Sequence, residues 1–293
     1  MRETSGADSV YFAAMDVRAL ILRTAGTNCD GETVRALELA GARADLVYLG
    51  RAAAEPGMLD DYRVLVLPGG FSYGDYVAAG RVFGIELKRA LAGALAAFVR
   101  RGGLVLGICN GFQVLLEAGL FDGGDGPAAD GPRDVALYGN ESDRFECRWV
   151  SLRAEECACP WLTPGQLLPV PVAHAEGRLA VRSPAALERL RRRGQIAFRY
   201  ARGGLAARPG SPEPGPVPYP DCPNGSVDAI AGLCDPTGRV LGLMPHPERN
   251  VTPWHHPHWT RLGERSEGEG LPFFRSLVEY AAQSADLPIT TEA

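Results

Sequence analysis

Four short apolar runs punctuate the first 110 residues, at 17–22, 44–49, 63–67 and 103–108, and helical patterns stand between or after them. Each run is too short for a helix and is bounded by turn-forming residues, so each reads as a buried strand. Residues 31–41 read as a helix, with Val34, Leu37 and Ala40 on one face and Gly41 placed to end it. Residues 81–101 read as a long amphipathic helix, carrying Phe83, Leu87, Leu91, Leu95 and Phe98 near helical spacing. A further helix starts at Phe112. Strands alternating with helices imply βαβ units and a doubly wound, mostly parallel α/β sheet. Later runs at 144–152, 167–174, 195–200, 227–233 and 239–244 lack intervening helices and read as an antiparallel extension, closed by a helix at 271–282.

Two stretches break this rhythm. Residues 121–134 are rich in Gly, Asp, Ala and Pro, and residues 202–225 in Gly, Pro and Ser. Both read as flexible surface insertions. Residues 1–16 read as a disordered extension, with Met15 as an alternative start, and residues 17–293 as a single domain. The first sixteen residues lack the basic start and apolar core of a signal peptide, and no apolar run reaches the ~18 residues needed to span a bilayer. The net charge of −5 without clustered Lys and Arg argues against nucleic acid. The seven cysteines are odd in number and scattered, which fits reduced thiols and a cytoplasmic location better than a disulfide framework.

Ligands of a parallel sheet gather at the carboxyl ends of its strands. Two motifs fall there: Pro68-Gly69-Gly70 and Gly107-Ile108-Cys109-Asn110-Gly111. The second fits a nucleophile elbow, a sharp strand-to-helix turn whose flanking glycines avoid clashes. The following helix would point its N-terminal N–H groups at Cys109, favouring a thiolate and a developing oxyanion. A buried structural cysteine is the competing reading. A thiolate of this kind needs a base. Of five histidines, His246 stands directly after the run at 239–244, between two prolines, with Glu248 two residues on to orient its ring. A turn histidine near a solvated glutamate is the alternative.

Together these residues resemble the class I (triad) glutamine amidotransferases, most closely the glutaminase subunits of phosphoribosylformylglycinamidine synthases. The resemblance runs from about Val17 to the end. It rests on Leu67-Pro-Gly-Gly-Phe-Ser-Tyr-Gly-Asp75, Gly107-Ile-Cys-Asn-Gly-Phe-Gln113, Asn140-Glu-Ser-Asp-Arg-Phe145, Ala173-His-Ala-Glu-Gly177 and Met244-Pro-His-Pro-Glu-Arg249. It implies that Cys109 forms a γ-glutamyl thioester, that His246 moves the protons and that Glu248 fixes the imidazole. It implies an oxyanion hole from the N–H groups of Gly70 and Asn110. Gln113 would help hold glutamine, and His174, Ala175, Glu176 and Gly177 would bind its amino-acid end, largely through backbone. It further implies a larger synthetase partner that receives ammonia through a tunnel, uses ATP and Mg, and converts formylglycinamide ribonucleotide to formylglycinamidine ribonucleotide. A third small subunit is left open. The chain itself has no P-loop pattern, so no cofactor is expected in it. Ala175 stands where the family usually has Gly; if that position needs a positive φ, the strain is roughly 1 kcal/mol.

Weaker signals surround this core. Trp254-His255-His256-Pro257-His258-Trp259 could hold zinc or nickel, but Pro257 restricts the turn and no acidic or Cys ligand adjoins it. No metal is expected, and the tryptophans fit better with a docking surface or site wall. Ser72, Tyr73 and Asp75 suggest a flap over the glutamine pocket, with Asp75 alternatively capping the next helix. A cysteine-elbow hydrolase with another substrate is the rival enzyme. A degenerate binding subunit is the rival non-enzyme, opposed by the intact Cys109, His246 and Glu248.

Overall fold

A computed structural model describes residues 16–121, 133–206 and 216–284. The expected N-terminal extension, apart from Asp16, and most of the expected insertion at 121–134 lie outside the described residues.

The first half is built from β1 (Arg18–Arg23), α1 (Asp30–Leu39), β2 (Arg43–Tyr48), α2 (Leu49–Ala54), β3 (Val64–Leu67), α3 (Arg81–Arg100), β4 (Leu104–Ile108) and α4 (Asn110–Ala118). Every residue of β3 and β4 is buried, as in a sheet covered by helices on both faces. The apolar stripe of α3 is buried as its spacing predicts. The second half contains β5 (Val135–Gly139), β6 (Glu146–Ala154), β7 (Leu167–His174), β8 (Glu176–Val181), α5 (Pro184–Arg192), β9 (Ile196–Ala201), β10 (Ile230–Cys234), β11 (Val240–Leu243) and α6 (Leu271–Gln283).

Nine strands form one sheet in the order β2-β1-β3-β4-β11-β10-β9-β6-β7. The pairs from β2 to β11 are parallel, and those from β11 to β7 are antiparallel. The fold is therefore α/β as expected, with an antiparallel extension as long as the parallel half. The run at 239–244, expected in that extension, instead closes the parallel half as β11 beside β4, because its hydrogen-bond partners and not its own pattern set its direction. A two-stranded sheet, β5 against β8, stands apart. One buried apolar cluster runs from Val17 to Ala281. No helix among the described residues is long and apolar enough to cross a membrane.

The sequence pattern misses α2, α5, β5 and β8. The start of β8, Glu176-Gly177-Arg178, carries no strand signal; its order comes from pairing with β5. The expected flexibility at 202–225 does not extend through its described second part. Asn224 is wholly buried, and its amide donates to Gly177 O at 2.7 Å and Tyr200 Oη at 2.9 Å. Backbone carbonyls that need a partner, not local composition, hold this segment in place.

Candidate active site

Parallel pairing of β4 with β11 aligns Gly107 with Gly242 and Ile108 with Leu243. The two strands therefore end side by side, and Cys109 N donates to Leu243 O at 2.8 Å. Cys109 has φ 51° and ψ −108°, a sparsely populated conformation for a non-glycine residue. Such strain costs of order 1–3 kcal/mol and persists only where packing overdetermines it. The packing is visible at the flanking glycines. A Cβ on Gly111 would stand 1.9 Å from Leu67 O, and one on Gly107 would stand 2.6 Å from Leu115 Cδ1. They are required less by the turn itself than by α4 lying against β3.

His246 Nδ1 donates to Glu248 Oε1 at 2.6 Å, and both side chains are buried. Burial alone would lower the imidazole pKa. The Glu248 carboxylate and the Cys109 sulfur outweigh it and push the pKa up to about 10. The direction follows from a carboxylate favouring the charged ring in a dry site. Nε2 makes no formed hydrogen bond among the described residues. Both side chains border Gly69: a Cβ there would be 2.9 Å from His246 Cε1 and 3.4 Å from Cys109 Cβ. The thiol also lies 3.8 Å from Ala173 O. Only 6% of Cys109 is exposed, so the nucleophile sits in a nearly closed site.

Gly70 and Asn110 flank this point. Among the described residues neither amide N–H has a hydrogen-bond acceptor, which leaves both free for an oxyanion. Asn110 is also a hub. Its Oδ1 accepts from Ser72 N at 3.2 Å, and its Nδ2 donates to Asp75 Oδ1 at 3.1 Å and Gln113 Oε1 at 3.0 Å. Ser72 and Asp75 thus tie the segment after Gly70 to the elbow. Asp75 does not cap α3, whose N-cap is Gly80. Burial, then the nearby Glu176 carboxylate, push the Asp75 carboxyl up. Tyr73, Asp75 and Val77 all have positive φ, a strained run between the oxyanion position and α3.

The residues expected to bind substrate are tied into the surrounding fold. Gln113 Nε2 donates to Glu176 O at 2.5 Å while its Oε1 accepts from Asn110. These bonds use one N–H and one lone pair of the amide, so Gln113 braces the turn and still has a donor and an acceptor position for a ligand. The stretch from His174 to Gly177 is a tight junction of β7 and β8 rather than a loop. Its four carbonyls already accept, from Asn140 Nδ2, Asn140 N, Gln113 Nε2 and Asn224 Nδ2. The half-buried Glu176 side chain takes Ala79 N–H through Oε2 at 3.2 Å. Ala175 is not among the residues with positive φ, so the expected strain is absent. Only glycine fits at 177, where a Cβ would fall 2.5 Å from the His174 ring.

His174 is buried against Asn140 Oδ1 at 3.1 Å. Burial, then the neighbouring His246, lower its pKa from 6.5 to about 4. Between these values the unfolded chain binds a proton that the folded chain refuses, so stability falls as pH drops from about 6.5 to 4. The loss reaches roughly 3 kcal/mol. Urea midpoints at pH 5 and 7.5 should therefore converge in His174→Gln relative to wild type; an unchanged gap would refute this origin of acid lability.

Sequence reasoning missed Cys29, Glu32, Arg249 and Asn140. Cys29 follows β1, the neighbour of β3, so the strand-end rule could have found it. Its thiol accepts from Arg249 Nη2 at 3.1 Å, and Arg249 Nε donates to Glu32 Oε1 at 2.7 Å. The three histidines at 255–258 do not converge on a cation. The Nδ1 atoms of His255 and His256 accept backbone N–H groups, and His256 is buried beside Trp149. Trp254 and Trp259 instead line an open cleft of about 610 Å³ that contains no residue of the Cys109 site.

The geometry defines a cysteine amidohydrolase-type centre on an α/β sheet, and comparison places it. The CobB/CobQ-like glutamine amidotransferase domain matches residues 16–281, so the chain belongs to that family. Its relatives narrow the branch. The phosphoribosylformylglycinamidine synthase subunit PurQ of Dehalococcoides mccartyi is 40% identical over 268 residues, covering 91% of this chain and 98% of that protein. The subunit PurQ of Treponema denticola is 43% identical over 245 residues, covering 81% and 89%. Among solved structures, PurLQS from Thermotoga maritima contains a chain 31% identical, with a TM-score of 0.63, covering 91% of this chain and 99% of that one.

Proposed function

We propose that this chain is the glutaminase subunit of a phosphoribosylformylglycinamidine synthase and delivers ammonia to a larger synthetase subunit in the cytoplasm. The observation that carries the chemistry is the strained Cys109 elbow, meeting the buried His246–Glu248 pair over Gly69. The family and the PurQ relatives support the biological assignment.

The Cys109 thiolate attacks Cδ of glutamine. The amide oxygen becomes an oxyanion and takes the N–H groups of Gly70 and Asn110; each such donor is worth on the order of 100-fold in rate. His246, holding a proton at neutral pH, gives it to the departing nitrogen, and ammonia leaves a γ-glutamyl thioester. Neutral His246 then takes a proton from water as the hydroxyl adds to the thioester carbon. Collapse releases glutamate and restores the thiolate–imidazolium pair. Glu248 keeps the ring in one tautomer and stabilises its charge. ATP and magnesium belong to the synthetase in this reading. The near-complete burial of Cys109 supports low glutaminase activity in the isolated chain and a rise on adding the partner.

Incubation with a glutamine-like diazoketone, read by intact mass, tests the site. One adduct is expected in wild type, none in Cys109→Ser, and excess glutamine should prevent it. A wild-type chain that stays unlabelled even with the synthetase present would overturn the assignment. Turnover of simple esters without any response to glutamine would favour another cysteine hydrolase.

A further inference from the structure

Beside the imidazole, and bordering Gly69 as Cys109 does, lies a second group of donors. One ligand atom from each of Cys29, Glu32, His246 and Glu248 falls within 4.8 Å of all the others. Among the described residues this is the only such group of three or more histidine, cysteine or acidic side chains. Tetrahedral zinc, with bonds of roughly 2.0–2.3 Å, holds its ligands about 3.3–3.8 Å apart. Closure therefore needs side-chain shifts on the order of 1 Å.

A second observation points to a cation. Glu248 uses Oε1 for His246, while its Oε2 is buried with no partner among the described residues. A buried carboxylate oxygen without a partner is costly, and a cation would satisfy it. In the metal-free arrangement the charge is offset by Arg249, whose guanidinium donates to the Cys29 sulfur and to Glu32. That guanidinium opposes a metal. Yet its side chain is 33% exposed and that of Glu32 35%, so Arg249 has a way out to water and an ion has a way in. Cys29 also donates to Asn28 Oδ1 at 3.4 Å. Metal binding would release the Cys29 thiol proton and one proton of the His246 imidazolium, and break this contact. One thiolate and two carboxylates would then face a dication, with Arg249 nearby balancing the remaining charge.

We infer that Cys29, Glu32, His246 and Glu248 form an inhibitory site for a borderline-soft divalent cation of the zinc type. The inhibitory part rests on the reading of His246 as the base. Neutral imidazole has one free lone pair, and a metal on either ring nitrogen takes it. The ring then has no lone pair with which to accept a proton from the hydrolytic water. Thiolate, imidazole and carboxylate together favour zinc over magnesium or calcium, which prefer all-oxygen sites.

Zinc binding by the full chain, with its thiols reduced, is measured by competition with a chromophoric chelator. One equivalent is expected in wild type. Cys109→Ser should bind within about twofold of wild type, and Cys29→Ser and Glu32→Gln about 100-fold more weakly. Glu32 is partly exposed, so its variant keeps the test sound if Cys29→Ser folds poorly. In the same samples zinc should block diazoketone labelling of Cys109 in wild type and not in Glu32→Gln. No stoichiometric binding, unchanged affinity in both Cys29→Ser and Glu32→Gln, or affinity lost in Cys109→Ser would each overturn the site. Binding that depends on Cys29 and Glu32 supports the site even if Cys109 never labels, so failure of the catalytic reading stays distinguishable.

Discussion

Cys109→Ser, assembled with the synthetase, should lose glutamine-dependent synthesis by about 10³-fold or more, whereas synthesis from added ammonia should stay at the wild-type rate. The size follows from the nucleophile: at neutral pH an alcohol is far less ionised than a thiol, and losing the covalent step removes most of the acceleration. The selectivity follows from geometry. Cys109 is buried at the end of β4, and serine is close to cysteine in shape, so replacing sulfur with oxygen disturbs little packing. Rates with glutamine and with ammonia, measured on one preparation, decide the matter. Glutamine-dependent synthesis within tenfold of wild type would remove Cys109 from the mechanism. Equal loss with ammonia would mean that the substitution damages the assembly instead.

Gly111→Ala should be the most destabilising single methyl addition at the elbow. Its Cβ would stand 1.9 Å from Leu67 O and 2.6 Å from Leu67 C. Both are backbone atoms of β3, which is hydrogen-bonded on both sides within the parallel sheet and cannot yield. Overpacking usually costs 1–3 kcal/mol, and a clash with fixed backbone belongs above that range, at roughly 4 kcal/mol. Thermal melting should shift down by on the order of 10 °C. Gly93→Ala is the control. Gly93 lies inside α3 with no atom within 4 Å of an added Cβ, so alanine there should be neutral or stabilising by up to about 1 kcal/mol. If the two variants melt together, the tight approach of α4 to β3 is not what holds the elbow.

Much of the parallel half and of the catalytic centre is legible in the amino-acid sequence. The buried runs at β1, β3 and β4 carry strong local patterns because both faces of each strand are covered, and the α3 stripe is long enough to show its period. The elbow and the His246-Pro247-Glu248 turn are contiguous, so their chemistry is written in neighbouring residues. The hairpin of β5 and β8 is not legible. β5 is apolar but short and follows directly on a Gly- and Pro-rich stretch, β8 opens on Glu176-Gly177-Arg178, and the order of both comes from each other and from the Asn224 anchor.

What the sequence by itself determined is strands β1 to β4 and the positions of the Cys109 elbow and the His246-Pro247-Glu248 turn, because strand periodicity, turn chemistry and short-range spacing are local properties. What only the tertiary structure decided is which side chains share the space around them. Strand order β3-β4-β11 brings Gly69, Cys109 and His246 together from segments far apart in the chain. The same packing ties the Gln113 amide to Asn110 and Glu176, and it sets Cys29, Glu32 and Arg249 beside the imidazole. The physical reason is that burial and close approach, unlike periodicity, depend on how the whole sheet is ordered.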